Sequence, residues 1–316
     1  MITKRNNFSR GLASDGEPTS EFFKLKKILT KEKFISLRNP KVIIILGQTA
    51  TGKSSLAVKI AKNIGGEIIS ADSRQVYKGL NIGTGKISQK EMRQIPHHLL
   101  DVANPKKHFT VSEYKDLADK TIKGILARGK TPIICGGTGF YIDAVTKGVV
   151  FPEVPPNIKL RKILEKKSEL ELFNMLQKLD KRRASNIDAK NKVRVIRAIE
   201  IVKALGKVPE ITEATPPYKF IKIGLYLPSD KLKKKVEKRV KKMFDDGLLN
   251  EIKKLKKARI SNKRLIEFGF EYSDPIYEKV VSETLKYAKR QMVWFKRDKE
   301  IKWLDASKKI DLSEIF

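Results

Sequence analysis

The chain has 316 residues, 40% of them hydrophobic, which is enough apolar side chain for about two folded domains and excludes wholesale disorder. Lysine and arginine number 68 against 36 aspartates and glutamates, a net charge of +32. A polyanion is therefore the expected partner, with nucleic acid first and an anionic membrane surface second. The single cysteine, Cys135, excludes a disulfide framework and a cysteine-rich zinc site. No apolar run approaches the roughly 18 residues that span a bilayer, and no secretion signal is evident, so we expect a cytoplasmic location without membrane binding.

The chain begins with a basic stretch and then changes to a regular pattern. Residues 1–40 carry no clear hydrophobic periodicity, and we predict a loose extension there. Val42–Leu46 is a short β-branched run typical of a buried parallel strand, and a glycine-rich turn and a helix follow it. Glu67–Ala71 predicts a second strand, and Thr131–Cys135 and residues 222–227 predict two more.

Strands that alternate with helices predict an α/β domain with a parallel sheet flanked by helices. We assign residues 41–150 to the first part of this core. Residues 151–190 follow a proline-rich break and show helical patterns without clear strands, so we predict a helical insertion domain. Residues 191–316 are predicted to return to the core and to end in basic helices, one of them amphipathic over residues 230–257.

The first predicted strand runs into a phosphate-binding motif. Residues 47–54 fit G-x-x-x-x-G-K-[ST], and they lie between a strand and a helix as the motif requires. Backbone N–H groups and the helix N-terminus attract a phosphate, Lys53 adds a full charge, and Ser54 can bind Mg²⁺. The loop consists of Gly47, Gln48, Thr49, Ala50, Thr51, Gly52, Lys53 and Ser54. It predicts a P-loop NTPase-like sheet, but it does not distinguish ATP from another diphosphate.

Two further loops follow predicted strands at the same edge of the sheet, where ligands of open α/β sheets bind. The first contains Asp72, Ser73, Arg74 and Gln75. Asp72 is a candidate general base or a group near Mg²⁺, and an aspartate that only caps its own turn is the alternative. In the second, glycines permit close backbone approach and Thr138 could bind a phosphate or a base, with a plain glycine turn as the alternative.

A histidine pair raises the question of a metal site. His97 and His98 are adjacent, and Asp101 follows shortly after. Neighbouring side chains of an extended chain point to opposite faces, and no third ligand is evident, so we favour a structural loop.

Taken together, these motifs resemble the tRNA dimethylallyltransferase family, also called tRNA isopentenyltransferases. The matching segments occur in the family's order and cover about residues 41–305. They are Gly47–Ser54, Ile69–Tyr77, Asn81–Lys86, Ile95–His98, Gly136–Tyr141, Val193–Ala198 and Ala288–Phe295.

The resemblance implies a reaction and the residues that perform it. Members of the family transfer a dimethylallyl group from dimethylallyl diphosphate to N6 of adenosine 37, beside the tRNA anticodon. By this resemblance the phosphate loop, Lys53 and Arg239 hold the diphosphate leaving group with Mg²⁺, and Asp72 accepts the N6 proton. We expect a monomer. The implied tRNA-contacting positions are Asp72, Ser73, Arg74, Gln75, Thr138, Val193, Arg194, Val195, Ile196, Arg197, Lys289, Arg290, Gln291, Trp294 and Lys296.

The chain departs from the family at one motif. The family commonly has G-Y-[KR]-E at a position where this chain reads Phe268-Gly269-Phe270-Glu271, without the basic residue. An RNA contact at residues 268–271 is therefore left open.

Two other functions remain as alternatives. A phosphate-loop kinase of a small metabolite would share the fold, but it should bind ATP and turn over without RNA. A non-catalytic RNA-binding protein with a relic phosphate loop would share the charge. The net charge of +32 argues against the kinase, and the intact Lys53, Ser54 and Asp72 argue against the relic.

Overall fold

The structure is a computed structural model that describes residues 40–210 and 212–312. The extension predicted for residues 1–40 lies outside the described residues, apart from Pro40. The described residues fall into two compact units. The second unit is Lys147–Thr215, and the first comprises the residues that precede and follow it.

The strands confirm the predicted parallel sheet. They are β1 (Lys41–Gly47), β2 (Gly66–Ala71), β3 (His97–His98), β4 (Thr131–Gly136), β5 (Val149–Val150), β6 (Thr212–Glu213), β7 (Lys219–Tyr226) and β8 (Lys302–Asp305). Within the described part of the first unit, six of them form one sheet in the order β3-β2-β4-β1-β7-β8, and every neighbouring pair is parallel. β3 and β8, at the two edges, are too short or too polar for the hydrophobic pattern to have predicted them.

The helices are α1 (Lys53–Ile64), α2 (Gln89–Met92), α3 (Val111–Ala127), α4 (Gly139–Thr146), α5 (Ile158–Leu164), α6 (Glu169–Leu179), α7 (Lys181–Ser185), α8 (Lys192–Leu205), α9 (Ser229–Asp245), α10 (Leu248–Lys257), α11 (Asn262–Phe268), α12 (Phe270–Ser273) and α13 (Tyr277–Phe295). The amphipathic helix predicted over residues 230–257 is two helices, because Gly247 adopts φ 97° between them. Among the described residues, no helix combines the length and the apolar character needed to cross a bilayer.

Apolar layers cover both faces of the sheet, as the hydrophobic run Val42–Leu46 of β1 requires. Ile44 and Leu46 face one layer, which includes residues of α3, α4, α10 and α13. Ile43 and Ile45 face the other layer, which α1 dominates. All four side chains are at most 1% exposed, and burying each stabilises the fold by about 1.5–3 kcal/mol. This core fixes the edge of the sheet at which the loops meet.

The second unit is longer than the segment predicted as an insertion. It runs from 147 to 215 and so contains α8, which the sequence analysis assigned to the core. The physical reason is that the apolar face of α8, including Val195 and Ile199, packs with Leu172 and Leu176 of α6 in a separate core. β5 and β6 form an antiparallel pair within this unit.

Candidate active site

The carboxyl ends of β1, β2 and β4 lie side by side, so the loops that follow them line one pocket of about 240 Å³. The sequence-predicted residues in its wall are Thr49, Ala50, Gly52, Lys53, Ser54, Asp72, Gln75, Arg239 and Gln291. Further lining residues are Ser55, Gly85, Ile87, Glu91, Cys135, Gly136, Gly137 and Tyr287. The sheet therefore brings together the phosphate loop, the candidate base and the candidate diphosphate-binding arginine.

The phosphate loop is shaped by contacts to β7. A Cβ on Gly47, which has φ 123°, would lie 2.1 Å from the carbonyl oxygen of Leu225, so only glycine fits there. The buried Gln48 accepts a hydrogen bond from the N–H of Leu227 at 3.0 Å, and the hydroxyl of Thr51 donates to the carbonyl of Gln48 at 2.7 Å. The side chains of Gln48 and Thr51 thus hold the loop in shape.

The loop ends in an uncapped helix. Gly52, at the N-cap, adopts φ 86° and has no side chain with which to cap α1, so the N–H groups of the first turn can bind an anion. Lys53 Nζ donates to the carbonyl of Gln48 at 2.5 Å. Burial lowers the pKa of Lys53 to about 8, with a smaller contribution from Arg239, while Cys135 and Asp72 oppose the shift. An anion in the pocket would favour the charged form of this lysine.

The two carboxylate oxygens of Asp72 differ in their contacts. Oδ1 accepts the backbone N–H groups of Arg74 at 2.9 Å and Gln75 at 3.2 Å, which fixes the turn after β2. Within residues 40–210 and 212–312, Oδ2 has no hydrogen-bond partner, and the residue lines the pocket. Oδ1 therefore caps the turn, which was the alternative role for Asp72, while Oδ2 is the oxygen that could act as a base. Thr138 accepts the N–H of Ser73 at 3.0 Å, which joins the two predicted loops.

Arg239, on α9, lines the same pocket as the phosphate loop. Its Nη2 donates to the carbonyl of Thr84 at 3.1 Å, and a Cβ on Gly85 would lie 2.2 Å from the same nitrogen. Burial lowers the pKa of Arg239, and Asp72 and Glu271 oppose that shift. A side chain at position 85 would therefore displace the Arg239 guanidinium from this place.

α13 carries the predicted basic segment, but its residues face different surroundings. Lys289, Arg290 and Lys296 are exposed. Gln291 is only 5% exposed, and its amide bonds to Thr49 and Gly137, so this predicted RNA contact lies in the inner wall of the pocket. Trp294 is half-buried against Gly139 and donates to Asp143 at 3.2 Å.

The other basic segment, at the start of α8, belongs to the second unit. Val193 and Arg194 are exposed, and the half-buried Arg197 donates to the carbonyl of Val154 at 2.7 Å. Val195 and Ile196 are buried in the core of that unit, because helical spacing turns them away from solvent. The side chains of both residues are therefore absent from the surface of this unit.

Two features of the site escaped the sequence analysis. Arg74 forms an ion pair with the buried Glu271 at 2.7 Å and lies 5.4 Å from the ring centre of Phe270. The divergent 268–271 motif therefore holds a residue of the Asp72 loop. Tyr287 lines the pocket, and burial raises its pKa to about 12. Its position four residues before Gln291 on one helix face is the signal that could have identified it.

No group of three metal-ligating His, Cys, Asp or Glu side chains occurs in the described ranges. His98 bonds to Glu67 at 2.7 Å and His97 to the carbonyl of Ile95, and the pair forms the edge strand β3 rather than the predicted loop. At the pocket, Ser54 offers one hydroxyl beside the phosphate loop. This donor set fits Mg²⁺, which binds largely through substrate phosphates and water.

A parallel sheet with a phosphate-loop motif, and an arginine that lines the same pocket as the loop, are typical of enzymes that bind phosphorylated substrates at the sheet edge. Comparison with known proteins shows to which enzyme family the chain belongs. The family model described as IPP transferase matches residues 75–298. The chain belongs to the tRNA dimethylallyltransferase family, whose members are prenyltransferases.

Individual relatives agree over most of the chain. It is 40% identical over 290 residues to the tRNA dimethylallyltransferase of Halothermothrix orenii, covering 85% of this chain and 88% of the relative. The full-length tRNA isopentenylpyrophosphate transferase of Bacillus halodurans has a similar structure, with a TM-score of 0.62, 34% identity, and coverage of 86% and 92%. A eukaryotic dimethylallyltransferase acting on tRNA gives a TM-score of 0.72 at 28% identity, covering 84% of this chain and 74% of that one.

Proposed function

We propose that this chain transfers a dimethylallyl group from dimethylallyl diphosphate to N6 of adenosine 37 in tRNA, releasing diphosphate. The observation that carries the proposal is the pocket itself, which the phosphate loop, Arg239 and Asp72 line together. Membership of the family supplies the reaction class, and the names of the relatives supply tRNA as the acceptor.

The leaving group is stabilised first. The C1–O bond of the allylic diphosphate breaks, and the electron pair departs with the diphosphate. Lys53, Arg239 and the N–H groups that begin α1 surround the position where this charge develops, and such preorganised donors are the largest source of rate in many enzymes. We propose Ser54 as the protein ligand of Mg²⁺, which would supply further neutralisation of the diphosphate when bound.

The acceptor N6 of adenine is a weak nucleophile because its lone pair is delocalised into the ring. As N6 forms its bond to C1, Asp72 Oδ2 accepts the N6 proton, a contribution of about 10²–10⁴-fold for a positioned base. Oδ1 remains bonded to Arg74 and Gln75 and keeps the carboxylate in place. A base within an anticodon loop must be turned outward to reach this pocket.

The RNA-binding proposal rests on charge. Lys289 and Arg290 are exposed on α13, and Lys296 is exposed directly after its last residue; Tyr287 and Gln291 of the same helix line the pocket. We propose that these cations bind phosphates of the anticodon stem-loop, and that the protein acts as a monomer in the cytoplasm. Gln75 lines the pocket, and Thr138 accepts the N–H of Ser73, which lies two residues before Gln75. We propose that Ser73, Arg74, Gln75 and Thr138 contact the extruded nucleotide.

One experiment tests the function against the kinase alternative. Unmodified tRNA is incubated with the protein, Mg²⁺ and dimethylallyl diphosphate, and its nucleosides are analysed by mass spectrometry. We expect dimethylallyladenosine at position 37 and none in a tRNA whose adenosine 37 is replaced by guanosine. ATP turnover without RNA, and no modified adenosine, would contradict the proposal.

A further inference from the structure

A buried carboxylate lies behind the pocket wall. Glu251, on α10, is 8% exposed and is absent from the residues that line the pocket. Its Oε2 accepts the backbone N–H groups of Asn81 at 2.9 Å and Ile82 at 2.8 Å, and its Oε1 accepts that of Gly83 at 3.1 Å. These bonds join parts of the chain about 170 residues apart, so Glu251 holds the turn that begins at residue 81.

The turn is shaped like an anion-binding concavity. Successive backbone N–H groups that converge on one point attract a negative charge, and here the carboxylate of Glu251 fills that position. Tyr272 completes the arrangement, since its hydroxyl donates to Glu251 Oε1 at 2.9 Å. A Cβ on Gly83 would lie 2.6 Å from the Tyr272 ring, so the ring packs directly on the turn.

The same turn continues into the pocket. Its next residue, Thr84, presents the carbonyl that accepts from Arg239 Nη2 at 3.1 Å and from Gln75 Nε2 at 3.3 Å. Gly85 follows and lies beneath the Arg239 guanidinium. A continuous set of contacts therefore connects Glu251, through residues 81–85, with the guanidinium of Arg239.

We infer that Glu251 is a positioning residue for Arg239: it fixes residues 81–85, whose backbone orients the guanidinium toward the diphosphate. The inference rests on the proposed function only for the identity of that anion. A carboxylate that only stabilises the fold would affect ligand binding whether or not Arg239 is present. The effect of Glu251 should require Arg239.

Inorganic diphosphate is the probe that tests this coupling, measured by calorimetry on the full chain with Mg²⁺. In Glu251→Gln one carboxylate oxygen becomes an NH₂ that cannot accept from a backbone N–H. We expect diphosphate affinity to fall about tenfold, within the range for coupled neighbours. In an Arg239→Ala background the same substitution should change affinity less than twofold. With dimethylallyl diphosphate and tRNA, the KM for the donor should rise while that for tRNA is unchanged.

A matched control is Glu67→Gln. Glu67, on β2, is another buried carboxylate, and it bonds to Arg128 and His98. This substitution should leave diphosphate affinity unchanged. If Glu251→Gln does not fold, Tyr272→Phe removes a single bond to the same carboxylate and should lower affinity by a smaller factor, again only when Arg239 is present. Wild-type affinity in the folded Glu251 and Tyr272 variants, or an equal loss without Arg239, would overturn the inference. Failure of tRNA prenylation alone would count against the proposed function and leave the diphosphate result standing.

Discussion

Gln291 Oε1 accepts a hydrogen bond from the backbone N–H of Thr49 at 2.7 Å, although 242 positions separate the two residues. Its Nε2 donates to the carbonyl of Gly137 at 2.9 Å, and a Cβ on Gly137 would collide with it. One buried amide thus ties the basic helix α13 to the phosphate loop and to the loop after β4. This side chain therefore connects the helix that we propose binds RNA with the loop that we propose binds the diphosphate.

Replacing that amide by an apolar group of similar size should loosen the pocket. Gln291→Leu leaves the Thr49 N–H and the Gly137 carbonyl without partners, at a cost of about 1–3 kcal/mol in unfolding free energy. Diphosphate affinity should fall as well, because the phosphate loop loses its support. Denaturant unfolding and calorimetry measure both, with the exposed Gln177→Leu as the control that should change neither. Unchanged affinity would mean that the loop holds its shape without Gln291.

The role of Asp72 is tested by a change that preserves its turn. In Asp72→Asn the amide oxygen can still accept from Arg74 and Gln75, but the group can no longer take a proton. The single-turnover rate of transfer should fall about 10²–10⁴-fold, while tRNA and diphosphate affinities stay near wild type. Asp119→Asn, a surface substitution on α3, is the control. A wild-type rate in Asp72→Asn would remove Asp72 as the base.

Diphosphate binding should depend on pH through Lys53. Its pKa is lowered to about 8 in the free protein, chiefly by burial, so the ammonium form dominates below that pH and is lost above it. A bound anion raises that pKa, so binding takes up a proton, and affinity should decline as the pH rises from about 7 to about 9. Calorimetry in buffers of different ionisation enthalpy detects the uptake. In Lys53→Arg, which stays charged, the proton uptake attributable to this residue should disappear; its persistence would assign the proton to another group.

The exposed cations of α13 should set the salt dependence of tRNA binding. Each phosphate contact releases counterions, so log affinity falls linearly with log salt. Lys289→Gln and Arg290→Gln should each weaken binding and reduce the slope by about 1. Lys62→Gln, at the far end of α1 from the phosphate loop, should leave the slope unchanged. A wild-type slope in Lys289→Gln and Arg290→Gln would mean that the RNA does not contact these two residues.

Local patterns in the sequence predicted the parallel sheet and the phosphate loop. The β-branched run before Gly47 and the spacing of the loop each depend on neighbouring residues, and the structure confirms both strand and sheet. The extent of the second unit was not predicted, since the apolar face of α8 fits either core until its partner α6 is known. Likewise, no local pattern indicates that Gln291 bonds to Thr49 or Glu251 to residues 81–83, because these contacts form only in the folded chain.

The central claim is that one pocket aligns a diphosphate at the phosphate loop with an extruded adenine beside Asp72. A crystal structure with an anticodon stem-loop, Mg²⁺ and an unreactive analogue of dimethylallyl diphosphate measures this directly. We predict the diphosphate between Lys53 and Arg239, and adenine N6 within about 2.6–3.2 Å of Asp72 Oδ2. A diphosphate bound away from the loop, or an N6 beyond reach of that oxygen, would contradict the account.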